Sequence, residues 1–299
     1  MKEIYLHVGM PKCASTFFIK HFFPKLNDLE DIWYANSDPE INRIFETIAY
    51  DNVTVLDIDM IGATIEKKIS QRQEKKIFFS HKDLFGDMYG NFHNNFGITE
   101  FLSKLFPTAK ILLLIRKQDD FLESQYTHAL KIGHHVNVSD FLNYDDKNEY
   151  FAQYKSHIQY GHLSKLNIDI RSLDYYKYVD LYQQKWGKKN LHIIPYEVMR
   201  KDKKHFVASL GTFIDMDLSK FVGQLDIKEN PSVSYYANRI FLILNRFRWN
   251  EVHGFGLIPE FPFHGFWMRK YETNIFYKTI ARINARISLQ VVGPAPPRQ

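Results

Sequence analysis

The chain has 299 residues, 45% of them hydrophobic and 24% charged, and a formal net charge of +5 at pH 7. This balance supports a substantial apolar core and excludes global disorder. The small positive charge is not gathered into a long lysine or arginine run, so it does not indicate nucleic-acid binding. Cys13 is the only cysteine, which excludes an intramolecular disulfide.

The first predicted strand leads into a short loop that carries a lysine. The apolar segment from Ile4 to Val8 ends at Gly9, and the loop Met10-Pro11-Lys12-Cys13-Ala14-Ser15-Thr16 follows. The phenylalanine-rich run after it predicts a helix over 15–23 that Pro24 closes. Strand, tight loop and helix N-terminus direct backbone N–H groups at an anion, and the lysine and two hydroxyls add to that attraction. The alternative is an ordinary turn with a capping serine or threonine.

The spacing of the loop argues against a nucleoside-triphosphate P-loop. That motif, G-x-x-x-x-G-K-[ST], places the lysine between a glycine and the hydroxyl residue, whereas Lys12 follows a proline and Ser15 lies three residues later. The segment instead resembles the 5′-phosphosulfate loop of sulfotransferases, P-K-x-[GA]-[ST]-[ST]. These enzymes use PAPS (3′-phosphoadenosine 5′-phosphosulfate) as the sulfuryl donor. The resemblance implies that the donor is bound by Pro11, Lys12, Cys13, Ala14, Ser15 and Thr16, with Lys12 also acting in catalysis.

The next strong strand prediction, over 76–80, ends beside three ionisable residues, His81, Lys82 and Asp83. Sulfotransferases carry their general base after the corresponding strand, a histidine in many members and a glutamate in others. The resemblance therefore implies that His81 is the base, and the ordinary pKa of histidine suits proton transfer near neutral pH. Asp83 is the carboxylate alternative, and Lys82 is a second cation for the sulfuryl group.

A second anion site is predicted after the apolar strand 110–115. Arg116 follows that strand directly, and Ser124 lies eight residues later in the next predicted helix. A guanidinium fork and a hydroxyl at this spacing can converge on one phosphate. Sulfotransferases have this arginine, gap and serine as their 3′-phosphate site. The alternatives are a surface ion pair of Arg116 with Asp119 or Asp120, and an ordinary helical serine.

A third segment that is similar to sulfotransferases is the predicted strand 190–195. Tyr196 and Glu197 follow this strand directly, and a helix is predicted over 203–214. In sulfotransferases the tyrosine at this place helps to hold the adenine end of the donor. The resemblance therefore implies a nucleotide-binding role for Tyr196. The alternative is a tyrosine that packs at the edge of the sheet.

The order of elements predicts an α/β protein: a P-loop-like parallel sheet with helices on both faces, as in the sulfotransferase fold. The donor then lies across the carboxyl ends of the strands. Predicted strands are 3–8, 76–80, 110–115 and 190–195, with a weaker one at 53–57. Predicted helices are 15–23, 39–49, 59–72, 98–106, 119–132, 149–166, 174–186 and 203–214.

We expect a single sulfotransferase domain over 1–299, with a helical and aromatic C-terminal extension at about 225–290 packed on it. The last helix of this extension fits docking on the core, and also weak attachment to an anionic membrane. The proline-rich end, 293–299, predicts a flexible tail. The family's late Arg-Lys-Gly clamp on the 3′-phosphate is not recognisable, and neither Lys228 nor Arg239 can be assigned in its place.

These patterns together predict a PAPS-dependent sulfotransferase that acts on the hydroxyl of a carbohydrate or glycolipid and releases PAP without a metal. The acceptor class rests on the aromatic and amide residues of 86–96 and 150–186. No apolar run approaches the roughly 20 residues of a membrane span, and Lys2 and Glu3 lead straight into a strand, so we expect a cytoplasmic protein. A nucleotide kinase and a non-catalytic PAP-binding module are the other hypotheses.

Overall fold

The computed structural model describes residues 2–131, 134–142, 168–227 and 235–247. Its strands are β1 Glu3–Val8, β2 Ile32–Tyr34, β3 Lys76–His81, β4 Lys110–Ile115 and β5 Leu191–Pro195. Its α-helices are α1 Ser15–Phe17, α2 Pro39–Tyr50, α3 Ile58–Ser70, α4 Asn95–Leu105, α5 Gln118–Lys131, α6 Val138–Phe141, α7 Tyr175–Trp186, α8 Tyr196–Lys201, α9 Lys203–Ile214 and α10 Tyr235–Phe247. All strand pairs are parallel, in the order β2-β3-β1-β4-β5. The predicted α/β class with a parallel sheet is confirmed.

Helices cover both faces of the sheet. On one face the ring of Phe23 packs on His7 of β1 and Phe78 of β3, with centroid distances of 5.1 and 4.8 Å. On the other face Phe79 of β3 stacks on Phe45 of α2 at 5.1 Å. Because strands between two helical layers are buried on both sides, they need continuous rather than alternating apolar sequences. For this reason the buried strands can be recognised in the sequence as apolar runs.

The strand predictions at 3–8, 76–80, 110–115 and 190–195 are confirmed to within one residue at each end. The weaker strand prediction at 53–57 is wrong. Val53–Val55 is a 3₁₀ turn, because the Asn52 side chain accepts a hydrogen bond from the Thr54 N–H at 3.1 Å. Asp57 then caps α3 by accepting from the Met60 N–H at 2.9 Å. Two caps of this kind outweigh the β propensity of the Val-Thr-Val run.

The helix that follows the loop does not stop at Pro24. It begins as α1, continues as a π-helical turn over Phe18–Phe22, and ends as a 3₁₀ segment over Phe23–Asp28. Pro24 lies in the first turn of that last segment, where a missing N–H breaks no hydrogen bond. The proline therefore marks a change of helix type, and the predicted end of the helix at residue 23 is wrong.

The chain divides into two compact units, which are Met1–Phe121 with Ile170–Glu229, and Leu122–Asp169 with Asn230–Gln299. The sheet belongs to the first unit. In the second, the Asn245 amide of α10 donates to the Leu130 carbonyl of α5 at 2.8 Å. The predicted helix 149–166, the aromatic stretch and last helix of the C-terminal extension, and the tail lie outside the described residues. The single domain and the packed extension stay predictions.

Among the described residues, no helix combines the length and apolar character that crossing a membrane requires.

A buried polar pair joins β1 to β3 just below the loop. His7 is fully buried, and its Nδ1 lies 2.8 Å from the Ser80 hydroxyl. Its Nε2 has no hydrogen-bond partner. Burial lowers the pKa of His7 to about 3, with a smaller contribution from His81. The ring is therefore neutral in the folded protein, and its contribution to stability depends on pH.

We expect the free energy of unfolding to fall as the pH drops below about 6.5, because the unfolded chain then protonates His7 while the folded chain does not. Between about pH 7 and about pH 5, His7 alone should lower the free energy of unfolding by about 2 kcal/mol. Urea unfolding across that range measures how steeply the free energy of unfolding changes with pH, for the wild type and for His7→Gln. The slope should flatten in His7→Gln and stay unchanged in His205→Gln, a control at an exposed position. Equal slopes in all three proteins would contradict the assignment.

Candidate active site

The loop between β1 and α1 has a strained backbone. Lys12 and Ala14 both adopt left-handed conformations, with φ of 63° and 61°. Residues with a side chain rarely do so, and in folded proteins such strain is concentrated at functional sites. Left-handed residues in a tight turn can orient successive N–H groups toward one concave surface that suits an anion. The loop geometry therefore fits the predicted anion cradle.

The two hydroxyl residues of the loop have different surroundings. Ser15 is buried and its hydroxyl donates to the Met10 carbonyl at 3.0 Å, so it closes the loop on itself. The N-cap of α1 is Ala14, which makes no side-chain capping bond. The alternative interpretation of this loop, as a turn in which a serine or threonine caps α1, is therefore wrong. Thr16 is half-buried in the first turn, while Pro11 and Cys13 are buried.

Gly9 brings the loop against the end of β3. Its N–H donates to the His81 carbonyl at 3.0 Å. A Cβ on Gly9 would lie 2.4 Å from that carbonyl oxygen and 2.6 Å from the Lys82 Cα. Contacts this short are forbidden to a side chain, so only glycine permits this approach. The loop after β1 and the predicted base are thus held together through the backbone.

Arg116 links the loop to the end of β5. Its Nη1 donates to the Lys12 carbonyl at 3.0 Å, and its guanidinium carbon lies 5.1 Å from the centroid of the Tyr196 ring. Its Nε is buried without a hydrogen-bond partner. In the described part of the chain it forms no ion pair with Asp119 or Asp120, so the surface-pair alternative is wrong. Arg116 instead contacts two of the other predicted donor-binding segments.

Glu197 and Cys13 complete the surroundings of Arg116. The Glu197 carboxylate accepts from the Lys117 N–H at 3.0 Å and so ties the end of β5 to the end of β4. Burial raises the pKa of the Cys13 thiol, and this effect is larger than the opposite effect of the nearby Arg116 charge. A buried, protonated thiol is a poor nucleophile. The Cys13 thiol therefore fills space in the loop and is not a nucleophile.

Ser124 lies in the second turn of α5 and is half-buried. It belongs to the second unit, whereas Arg116 belongs to the first. A phosphate site shared by these two residues stays a prediction.

His81 is held in a defined orientation. It is buried, and burial lowers its pKa, although the Asp83 charge acts in the opposite direction. Its Nδ1 accepts a hydrogen bond from the Asp83 N–H at 3.3 Å. An acceptor nitrogen carries no proton, so the neutral ring carries its proton on Nε2. This geometry bears directly on which group can act as a base.

Asp83 is partly exposed and contacts two side chains. The Tyr50 hydroxyl of α2 donates to its Oδ2, and the Lys82 ammonium lies 3.6 Å from the same oxygen. Sequence reasoning missed Tyr50, which lies 33 residues from Asp83 in the chain. It also gave no role to Glu197. No local motif signals either contact, because both join separate elements of the fold.

Among the described residues, no cluster of three or more histidine, cysteine, aspartate or glutamate side chains could hold a metal ion.

We expect Gly9→Ala to lower the free energy of unfolding by about 1–3 kcal/mol, because the added methyl group meets backbone rather than a movable side chain. Thermal unfolding measures the loss. Gly223→Ala is the matched control, since a Cβ there meets nothing within 4 Å. Equal midpoints for the two variants would show that β1 and β3 are not held this closely.

Most of this chain matches the profile of a known protein family. A family profile described as "Sulfotransferase domain" matches residues 8–238, about three quarters of the chain. None of the curated protein sequences gives a significant match. One similar solved structure is the sulfotransferase from Alicyclobacillus acidocaldarius, with 17% identity, a TM-score of 0.45, and coverage of 82% of this chain and 93% of that one.

The matched residues begin at the end of β1 and include the loop, His81, Arg116 and Tyr196. The family assignment that the three motifs predicted is therefore confirmed. This chain belongs to the sulfotransferase family.

Proposed function

We propose that this protein transfers the sulfuryl group of PAPS to an acceptor hydroxyl and releases PAP. One observation carries the proposal: Arg116 contacts both the Lys12 carbonyl and the Tyr196 ring. Three segments that resemble donor-binding motifs, far apart in the sequence, thus meet at the carboxyl ends of β1, β4 and β5. Open α/β sheets bind their ligands at this edge.

The residues there suit a donor with a phosphosulfate at one end and a 3′-phosphate at the other. Lys12 and the left-handed loop backbone offer a positive charge and N–H donors for the phosphosulfate. Arg116 retains a buried Nε–H without a partner, which supports a role toward a second anionic group. The Tyr196 ring lies beside Arg116, which supports the proposal that it contacts the nucleoside part.

Sulfuryl transfer is an in-line displacement at sulfur. A bond forms between the acceptor oxygen and sulfur, and the bond between sulfur and the bridging phosphate oxygen breaks. Negative charge grows on that bridging oxygen, and the Lys12 ammonium is the group that offsets it. The proton of the acceptor hydroxyl passes to a base, which must present an unprotonated atom.

His81 and Asp83 are the two candidates for that base. His81 presents its lone pair only at Nδ1, and there it already accepts from the Asp83 N–H. It can take the proton if this long contact of 3.3 Å gives way to the acceptor hydroxyl. The Asp83 carboxylate needs no such exchange and is more exposed than the buried ring. We keep His81 as the proposed base, with Asp83 as the alternative that its geometry supports.

The acceptor is proposed to be a carbohydrate or a glycolipid head group. Of the aromatic residues in 86–96, Phe92 is buried against Phe85 and serves the core. Phe96 is 61% exposed, and we propose it as an aromatic residue that contacts the acceptor. The cytoplasmic location and weak membrane attachment stay predictions.

The proposed donor predicts a ligand preference that thermal unfolding can measure. We expect PAP to raise the midpoint well above the rise given by ADP, because only PAP carries the 3′-phosphate. At about 100 times its dissociation constant, PAP should add about 2.7 kcal/mol. Arg116→Lys should reduce the advantage of PAP over ADP, since lysine lacks the planar fork. A larger, magnesium-dependent shift with ATP would favour the kinase hypothesis and overturn the proposal.

Lys12→Ala tests the catalytic role of the loop lysine. We expect transfer of a radiolabelled sulfuryl group from PAPS to a panel of glycans and phenols to slow by about 100-fold or more, as when one transition-state charge donor is removed. The thermal midpoint without ligand should change little, because Lys12 is half-exposed. Lys25→Ala is the control, since that lysine makes only a long surface ion pair, at 3.8 Å to Asp28. PAP binding without transfer to any acceptor in the wild type would favour the non-catalytic module.

A further inference from the structure

Tyr50 is an exposed residue whose side chain is held at two points. It is the last residue of α2 and is 61% exposed. Its hydroxyl donates to Oδ2 of Asp83, and its ring meets the His81 ring edge-on, at a centroid distance of 5.7 Å and an interplanar angle of 83°. Exposed tyrosines gain little by holding a fixed rotamer, so contact with both candidate bases calls for a reason beyond packing.

The two contacts restrain the same short segment from different directions. Asp83 donates its N–H to Nδ1 of His81, and so its backbone position sets the side of the ring on which the proton lies. Tyr50 holds the carboxylate of that residue through its hydroxyl and holds the ring through its edge. The Gly9 N–H fixes the carbonyl of His81 from the donor side. His81 therefore has its backbone restrained by the loop and its side chain restrained by Tyr50 and Asp83.

Tyr50 also controls the surroundings in which His81 ionises. Burial is the largest cause of the lowered pKa of His81, and the Tyr50 ring lies directly against the imidazole. The charged groups that act on the ring are Asp83 and Lys82 from its own segment, and Glu46, one turn earlier on α2. The Tyr50 hydroxyl is less solvated than the rest of this exposed side chain; this and its bond to Asp83 raise the pKa of Tyr50, so the hydroxyl stays protonated and remains a donor.

We propose that Tyr50 is a positioning residue for proton transfer: its hydroxyl fixes the Asp83 carboxylate and its ring fixes the His81 imidazole beside the donor loop. This inference rests on the proposed function, but it does not depend on which of the two residues takes the proton. It assigns a role to α2, an element outside the three motifs that resemble donor-binding segments.

The tautomer of His81 tests the proposal without any substrate. Long-range ¹H–¹⁵N spectra of the histidine rings, with His81 assigned by its loss in His81→Gln, should show the wild-type proton on Nε2. In Tyr50→Phe the ring contact remains but the hydroxyl is lost, so we expect a mixture of tautomers. In Tyr50→Leu we also expect the pKa of His81 to rise toward its ordinary value, because burial is reduced. An unchanged tautomer in both variants would overturn the proposal.

A double-mutant cycle in transfer activity tests whether Tyr50 acts through Asp83. We expect Tyr50→Phe to lower kcat about 10-fold, as expected for loss of a hydrogen bond to a charged group, with the PAP-induced shift unchanged. When Tyr50→Phe is added to Asp83→Asn, we expect kcat to fall by less than about a further twofold, because the two residues act as one unit. Thr212→Val is the control, because it removes an exposed hydroxyl that bonds only to the Ala208 carbonyl of its own helix, at 3.0 Å.

The outcomes separate this inference from the proposed function. A fall in the thermal midpoint of Tyr50→Phe with unchanged kcat would reduce Tyr50 to an anchor of α2 and overturn the inference, while PAP binding and transfer would stand. Independent, multiplicative losses in the cycle would also overturn it. If the wild type shows no PAP shift, the proposed donor is wrong, and the tautomer comparison still decides whether Tyr50 orients His81.

Discussion

The close approach of Gly9 to the end of β3 is the constraint on which the rest of the site depends. Because Gly9 has no side chain, its N–H reaches the His81 carbonyl at 3.0 Å, and the loop turns away from the sheet directly beside His81. With a bulkier residue there, the two strand ends would separate, and Lys12 would move away from His81. One missing Cβ thus sets the distance between the lysine that is proposed to offset the leaving charge and the residues that are proposed to take the proton.

The strain that this turn introduces is balanced by polar contacts within and around the loop. Left-handed backbone at Lys12 and Ala14 costs about 1–3 kcal/mol for each residue. The Ser15 hydroxyl bonds to Met10 inside the loop, and Arg116 bonds to the Lys12 carbonyl from β4. Each neutral bond contributes about 1 kcal/mol, and a bond to a charged group more. The arginine that is proposed to bind a phosphate therefore also stabilises the loop that is proposed to bind the phosphosulfate.

Local sequence was informative where chemistry and structure are local. The apolar strands and the helices that Asp38, Asp57 and Asp202 cap lie within short windows, and their bounds were predicted to within two residues. β2 was missed because its three residues are too few to show a pattern. The contacts of Tyr50 with Asp83, Arg116 with Lys12, and Glu197 with Lys117 join residues 33, 104 and 80 positions apart. Such contacts depend on strand order and register, which the motifs do not encode.

His7 and His81 lie on neighbouring strands but have different surroundings, and the pleat of β3 explains why. Ser80 and His81 are consecutive, so their side chains point to opposite faces of the sheet. Ser80 faces the same side as His7 and bonds to it, which buries His7 under the phenylalanines of the loop helix. His81 points toward Tyr50 of α2, and the N–H of Asp83, two residues further along the chain, donates to its ring. A shift of one residue in β3 would turn Ser80 away from His7 and His81 away from Tyr50, so the register of one parallel strand pair sets both contacts.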